Sequence, residues 1–392
     1  MAVSCHVAFG HYLRTLRERR GLALEDVWTL SQTFPESLNK GYLSRCENGK
    51  QKLAFPKVVA ISRIYEVPAD VLVERLELDL ELEKIGGPST EKLSWAQLRE
   101  AGKNAMSHGH RWAAYTFLRD ATLKANKADL DASSFGSLKE QIVVSFMNVA
   151  SVAQTLGKNR YALAEFRFAE NCGRLGPNSK ILAAERLAAV HRSLGNTDLS
   201  DQYADVALER LNGVPNSSFE PDVYFLHGIA RMKRKELTEA IPWFQKAYNA
   251  FRDRGMIKSG AHALIALADC YHDIGNLNAA TRTLQVVRTV SDKHSLLRIK
   301  ALTLTIQGLV DQDSEKPASA EKNLREADKI ARELNDGILR FQVEFYLYKH
   351  ALAQNQIASA RAIRRRLDKL SLSVPSTVEQ MMEFRELVRE NR

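Results

Sequence analysis

The sequence predicts an all-α protein in two parts: a small N-terminal domain of short helices, then a long array of repeated helix pairs. Three observations predict it. Apolar residues recur three and four positions apart through nearly the whole chain. Alternating strand patterns are almost absent. Small residues return at a fixed spacing through the last 300 residues. With 392 residues the chain also exceeds the roughly 250–300 that one hydrophobic core usually serves.

The first helix carries Phe9, Leu13 and Leu16 at helical spacing and stops at Gly21. Leu24, Val27 and Leu30 mark a second, with Glu25 and Asp26 suited to its positive N-terminus. A turn with Pro35 follows, and Asn39 can cap the third helix. Pro56 sits in the first turn of a fourth helix with Val59, Ile61 and Ile64. Pro68 opens a fifth through Val71, Leu72 and Leu76. Five short helices, the second and third joined by a turn, read as a helix-turn-helix domain.

The third helix organises the domain. In Tyr42-Leu43-Ser44-Arg45-Cys46-Glu47-Asn48-Gly49, Leu43 and Cys46 face inward, Ser44 and Arg45 face outward, and Asn48-Gly49 ends the helix. Lys50 and Lys52 follow where a phosphate would lie. Such a face suits a reader of the DNA major groove. Lys40 and Arg45 are expected on base edges, Arg45 as a planar fork for guanine. Tyr42, Ser44, Asn48 and Lys50 are expected on phosphates.

Leu13-x-x-Leu16-Arg17, Gly21-Leu22, Leu43-Ser44-x-x-Glu47-Asn48-Gly49, Pro56 and Ile64-Tyr65-Glu66-Val67-Pro68 together resemble the lambda-repressor/Cro-like family, often called XRE, over about residues 9–76. The resemblance implies that Arg17 of helix one pairs with Glu47 and ties the recognition helix to the scaffold. Two features depart from the family. Ala23-Leu24 replaces the usual hydroxyl cap and glutamine, and the turn from Thr33 to Asn39 is longer than usual.

The apolar pattern Leu78, Leu80, Leu82, Ile85 leads into Gly86-Gly87-Pro88-Ser89-Thr90. That break sets the expected boundaries: a helix-turn-helix domain over 1–80, a flexible linker over 81–92, and repeats over 93–392. Ala114, Ala162, Ser200, Ala240, Ala280, Ala320 and Ala360 mark the repeat register, evenly 40 apart from Ser200 onward. A small residue falls twelve positions before the marker in the first six units, among them Gly102, Gly228 and Gly308. Others fall seven after it, letting antiparallel helices approach, while Phe166, Phe244, Leu284 and Leu324 fill the gaps between units. Over about 93–370 this resembles the tetratricopeptide repeat, although that repeat's usual period is shorter. The resemblance implies a right-handed α-superhelix of about seven helix pairs. Val378, Met381, Met382, Phe384 and Leu387 then form a capping helix.

By register, Asn148, Arg186, Arg192, Asp269, His272, Tyr346 and Lys349 line the inner face, where repeats of this kind mostly bind peptides. Asn can bond a peptide backbone and Arg can clamp a carboxylate. A solvated polar lining is the alternative for each of them. His191, His227, His262 and His272 show no partnered carboxylate or cysteine in sequence, so no metal or cofactor is expected. Cys5, Cys46, Cys172 and Cys270 are scattered and read as free thiols. The net charge of +9 permits an acidic partner. No phosphate-loop, zinc-protease or nucleophile-elbow motif is present, so no enzyme is expected. No secretory or membrane-spanning pattern is present either, which implies a cytoplasmic protein without a membrane partner.

Domain order and size resemble the bacterial peptide-pheromone receptors grouped as RRNPP. That likeness implies a sequence-specific regulator of transcription that binds a double-stranded DNA operator. Its repeats would hold a homodimer together and receive a peptide or protein effector. The rival reading is a tetratricopeptide scaffold for protein–protein interaction, tethered to DNA or free, without effector control.

Overall fold

A computed structural model describes residues 4–125, 135–334, 336–374 and 378–390, and among them the chain is helical, with 20 α-helices and no strand. It divides into two compact units, residues 1–191 and 192–392.

The first unit begins with the five expected helices: α1 (Cys5–Arg19), α2 (Leu24–Ser31), α3 (Lys40–Glu47), α4 (Phe55–Tyr65) and α5 (Ala69–Ile85). Their stops follow the sequence. Gly21 and Gly49 adopt positive φ, and Asn39 Oδ1 accepts the amide of Tyr42 at 2.6 Å as the α3 cap. The missing cap on α2 is half replaced, since Asp26 Oδ2 accepts the Ala23 amide at 2.7 Å. The long turn closes on the buried Ser31 hydroxyl, which accepts the Leu38 amide at 2.8 Å. Val59, read as a core position, is exposed.

After α5 come α6 (Trp95–Ser107), α7 (Arg111–Ala125), α8 (Phe135–Thr155), α9 (Asn159–Asn171) and α10 (Pro177–Ser193), at whose end the unit closes. The stretch expected as a flexible linker is fixed. Helix α5 continues to Ile85. Beyond it, the buried Thr90 hydroxyl donates to Asp120, and Lys124 Nζ donates to the carbonyls of Thr90, Glu91 and Leu93. A Cβ on Gly87 would lie 2.8 Å from Thr116 Oγ1, so the chain passes too close to α7 for a larger residue.

Buried polar groups join the five helices to α7 and α9. Asp79 of α5 is fully buried. It pairs with Arg75 on its own helix and with Arg119 Nη1 of α7 at 3.1 Å, and it accepts from the Tyr115 hydroxyl at 3.1 Å. Arg119 Nη2 also meets Asp120 at 2.7 Å. Burial works against the charge on Arg75, but Asp79 and its neighbours more than offset it and hold the guanidinium charged. Glu165 of α9, also buried, takes a fork from Arg19 at 3.0 and 2.7 Å and the Tyr12 hydroxyl at 3.1 Å. Arg19 is stacked between Phe146 and Phe168, its guanidinium 4.6 and 3.8 Å from their ring centres.

The second unit carries α11 (Thr197–Asn212), α12 (Glu220–Lys233), α13 (Leu237–Asp253), α14 (Ile257–Asp273) and α15 (Leu277–Lys293). It continues with α16 (Leu297–Asp313), α17 (Pro317–Glu333), α18 (Gly337–Ala353), α19 (Ile357–Leu370) and α20 (Glu379–Glu390). Counted in chain order, α6 to α19 make the seven helix pairs of the repeat register, with α20 after them. All seven register markers are buried. So are Phe166, Phe244, Leu284 and Leu324. Phe244 and Leu324 also fill the space inside a pair, besides sharing a core cluster with residues of the next one. A Cβ on Gly228 of α12 would meet the Phe244 ring of α13 at 2.5 Å, and one on Gly308 would meet Leu324 at 2.8 Å. Helix α20 closes the last pair with Met381 and Phe384 buried, Phe384 lying edge-on to Phe341 and Tyr348.

Glu344 of α18 is fully buried and receives Arg332 and Arg340 on one oxygen, at 3.1 and 3.0 Å, and Arg366 on the other at 2.8 Å. Arg366 stands among the arginines of α19, with Arg361, Arg364 and Arg365, and is drawn from that basic run to the buried carboxylate. The four cysteines are free thiols, and burial pushes Cys5 and Cys270 up to about 12.

Gly228→Ala should overpack α12 against α13 and destabilise the protein by roughly 1–3 kcal/mol, read as a fall in the midpoint of thermal unfolding by circular dichroism.

Candidate nucleic-acid interface and repeat groove

Helix α3 is held from behind by a forked ion pair. Arg17 Nε donates to Glu47 Oε1 at 2.7 Å and Nη2 to Oε2 at 2.9 Å, while Nη1 donates to the Leu22 carbonyl at 2.7 Å. Both side chains are buried, Arg17 at 8% and Glu47 at 7% exposure, so the pair is desolvated and fixes geometry. The hydrogen bond to Glu47 raises the Arg17 pKa above its ordinary value. Two glycines let α1 approach α3. A Cβ on Gly10 would fall 2.2 Å from the Cys46 carbonyl oxygen, and one on Gly49 2.6 Å from Val7 Cα.

With α3 fixed in this way, Lys40, Arg45, Asn48 and Lys50 are exposed and Ser44 is half-buried. Arg45 Nε donates to Gln51 Oε1 at 2.8 Å, which orients the guanidinium and leaves its terminal nitrogens for a partner. Lys40 Nζ pairs with Glu25 and lies 5.3 Å from the centre of the Trp28 ring. Asn48 Nδ2 donates to the Ser44 carbonyl at 2.7 Å, turning the helix end back on itself. Tyr42, expected on a phosphate, is a core residue. It is 7% exposed; its hydroxyl accepts the Ala54 amide at 2.8 Å and donates to the Lys52 carbonyl at 3.3 Å. Its work is to hold the 52–54 loop against α3.

The residues expected along the repeat groove divide between the two units. In the first, Asn148 Nδ2 is buried without a partner among the described residues, and Arg186 lies 3.3 Å from Glu185. Arg192 stands at the start of the second unit and is half-buried. The second unit brings the other four together. Asp269, His272, Tyr346 and Lys349 line one cavity of about 390 Å³ between the end of α12 and helices α14, α16, α18 and α20. Polar groups dominate it: Gln380 Nε2 donates to the Tyr346 hydroxyl at 3.1 Å, and Lys349 Nζ meets Glu383 at 2.6 Å.

His272 does have carboxylate partners, contrary to the sequence reading. Nδ1 lies 3.2 Å from Asp273 and Nε2 2.9 Å from Asp313. One ligand atom each from Asp269, His272 and Asp273 falls within 4.8 Å of the others, a spacing open to a cation. Yet both ring nitrogens face carboxylates, and the hydrogen bond to Asp273, with that to Asp313, raises the imidazole pKa. In this structure the imidazole is held by carboxylates on both sides, and the separation of 41 residues from His272 to Asp313 hid that contact from the sequence.

Two outcomes follow. Glu47→Ala leaves Arg17 buried and uncompensated, which should cost about 3–5 kcal/mol in thermal unfolding. His272 has a raised folded pKa, so its stabilisation is complete below the unfolded value near 6.5 and fades as pH rises through the folded value. His272→Gln should thus lower the unfolding midpoint more at pH 5.5 than at pH 8.5.

Comparison with known proteins bears on the fold. Residues 8–76 match the helix-turn-helix domain family. No curated protein is similar in sequence. Among solved structures, the Rap conjugation gene regulator of plasmid pLS20, in complex with the Phr* peptide, shares 14% identity at a TM-score of 0.54, covering 97% of this chain and 99% of that one. A Rap protein complexed with competence and sporulation factor shares 12% at 0.52, covering 95% and 99%. The signal-transduction ATPase PH0952 from Pyrococcus horikoshii, with its tetratricopeptide repeat sensor, shares 12% at 0.50, covering 96% of this chain and 62% of that one. At these identities the likeness is one of fold. Residues 8–76 thus carry a helix-turn-helix domain, and the helices that follow have the fold of a tetratricopeptide-like repeat array.

Proposed function

We propose that this protein is a sequence-specific, DNA-binding regulator of transcription, in which residues 1–80 read an operator and residues 93–392 bind an effector and a second copy of the chain. The observation that carries this reading is the forked Arg17–Glu47 pair, which presents α3 with Lys40, Arg45, Asn48 and Lys50 facing outward. Lys40 and Arg45 would meet base edges, Lys40 by exchanging Glu25 for the DNA. Ser44, Asn48 and Lys50 would hold phosphates, and Tyr42 positions the loop behind them.

One such helix covers only half of a typical operator, so a symmetric dimer on a palindrome is the natural form. The effector is assigned to the cavity that gathers Asp269, His272, Tyr346 and Lys349. Its mixed acids and bases suit a peptide, and the Rap regulator of similar fold was solved with the Phr* peptide.

Selection of bound sequences from random duplex DNA tests the reading. The whole chain should enrich one sequence of palindromic form. Arg45→Ala should relax the preference at one base position at a cost of roughly 1–3 kcal/mol. Lys50→Ala should weaken all sequences alike and reduce the salt slope by about one. A chain that enriches no sequence would put the scaffold reading in place of this one.

A further inference from the structure

The first unit holds a second cavity, of about 590 Å³, that no role above uses. Its walls are the C-terminal half of α1, the junction of α4 and α5 from Tyr65 to Val71, and the outer face of α9. The volume lies inside the range of roughly 300–1,000 Å³ typical of small-molecule sites. Most of its surface is apolar, supplied by Leu16, Val67, Val71, Leu163, Ala164 and Phe168.

Its charges do not balance. Four arginines and three carboxylates line it. Arg19 takes Glu165, Arg20 takes Glu66, and Arg160 takes Asp70. Each carboxylate is used once, and Arg167 is left at the rim, exposed and without an ion-pair partner among the described residues. A purely hydrocarbon ligand would leave Arg167 without a counter-charge.

The geometry points to a binding site for a small molecule with an apolar body and one carboxylate, its body between α1 and α9 and its carboxylate on Arg167. Such a ligand touches the DNA-reading helices and the first repeats at once, so it stabilises that unit by mass action.

Titration calorimetry of the whole chain with decanoate, in the absence of DNA, tests this independently of operator binding. One equivalent should bind saturably, and decanol should bind at least threefold more weakly. Arg167→Ala should weaken decanoate at least threefold and leave decanol unchanged. Ala164→Phe, which fills the cavity from the α9 wall, should abolish both, with folding checked by circular dichroism. Should that variant fail to fold, the exposed Arg167→Ala still decides. Absence of saturable decanoate binding, equal binding of acid and alcohol, or indifference to Arg167→Ala would each overturn the assignment.

Discussion

Asp79 is the residue on which the first unit depends. A fully buried carboxylate that serves Arg75, Arg119 and Tyr115 is stable only while all of them stay in place. Removing one partner of such a buried set commonly costs about 3–5 kcal/mol, because a charge is left without water or counter-charge. Since Arg75 is on α5 and Arg119 on α7, that cost applies to any separation of the first five helices from the first repeats. Glu165 adds a second such tie from α9 to Arg19 and Tyr12. The helix-turn-helix domain is thus built into the repeats instead of hanging from a tether.

The same logic, at smaller scale, holds the reading helix. Arg17 and Glu47 fix its angle, while Gly10 and Gly49 set how closely α1 can approach. Specificity is gained from ionic pairs that would add little to stability in water. In exchange, α3 cannot tilt without disturbing α1, and α1 cannot move without disturbing α9. A ligand that favours one arrangement of α1 and α9 therefore has a physical route to α3.

Much of this was legible in the sequence. Apolar spacing, glycine stops and the Asn39 cap placed the first five helices, because each is a local rule acting within one turn. The 40-residue register placed the later helix pairs, since small residues are demanded wherever two helices meet closely. The buried charges were not legible. Arg75 and Asp79 stand four apart and read like any exposed helical ion pair; only the arrival of Arg119, 40 residues away, makes them core. Glu344 gathers arginines from 12, 4 and 22 residues away for the same reason. Tyr42 was misplaced because eight-residue α3 buries neighbours on two turns, 42 and 43 with 46 and 47, a stripe wider than simple periodicity assigns. The stretch after Ile85 looked like a linker by composition, yet Thr90 and Lys124 anchor it through side chains whose partners lie 30 or more residues away.

Native-state hydrogen exchange with denaturant, followed helix by helix, bears most directly on the union of the helix-turn-helix domain with the repeats. Amides of α1 and α5 should open with the same free energy and the same denaturant dependence as those of α7 and α9, as one cooperative unit. Opening of α1 to α5 at a clearly lower free energy, with α7 and α9 still protected, would contradict it and restore an independent domain on a flexible link.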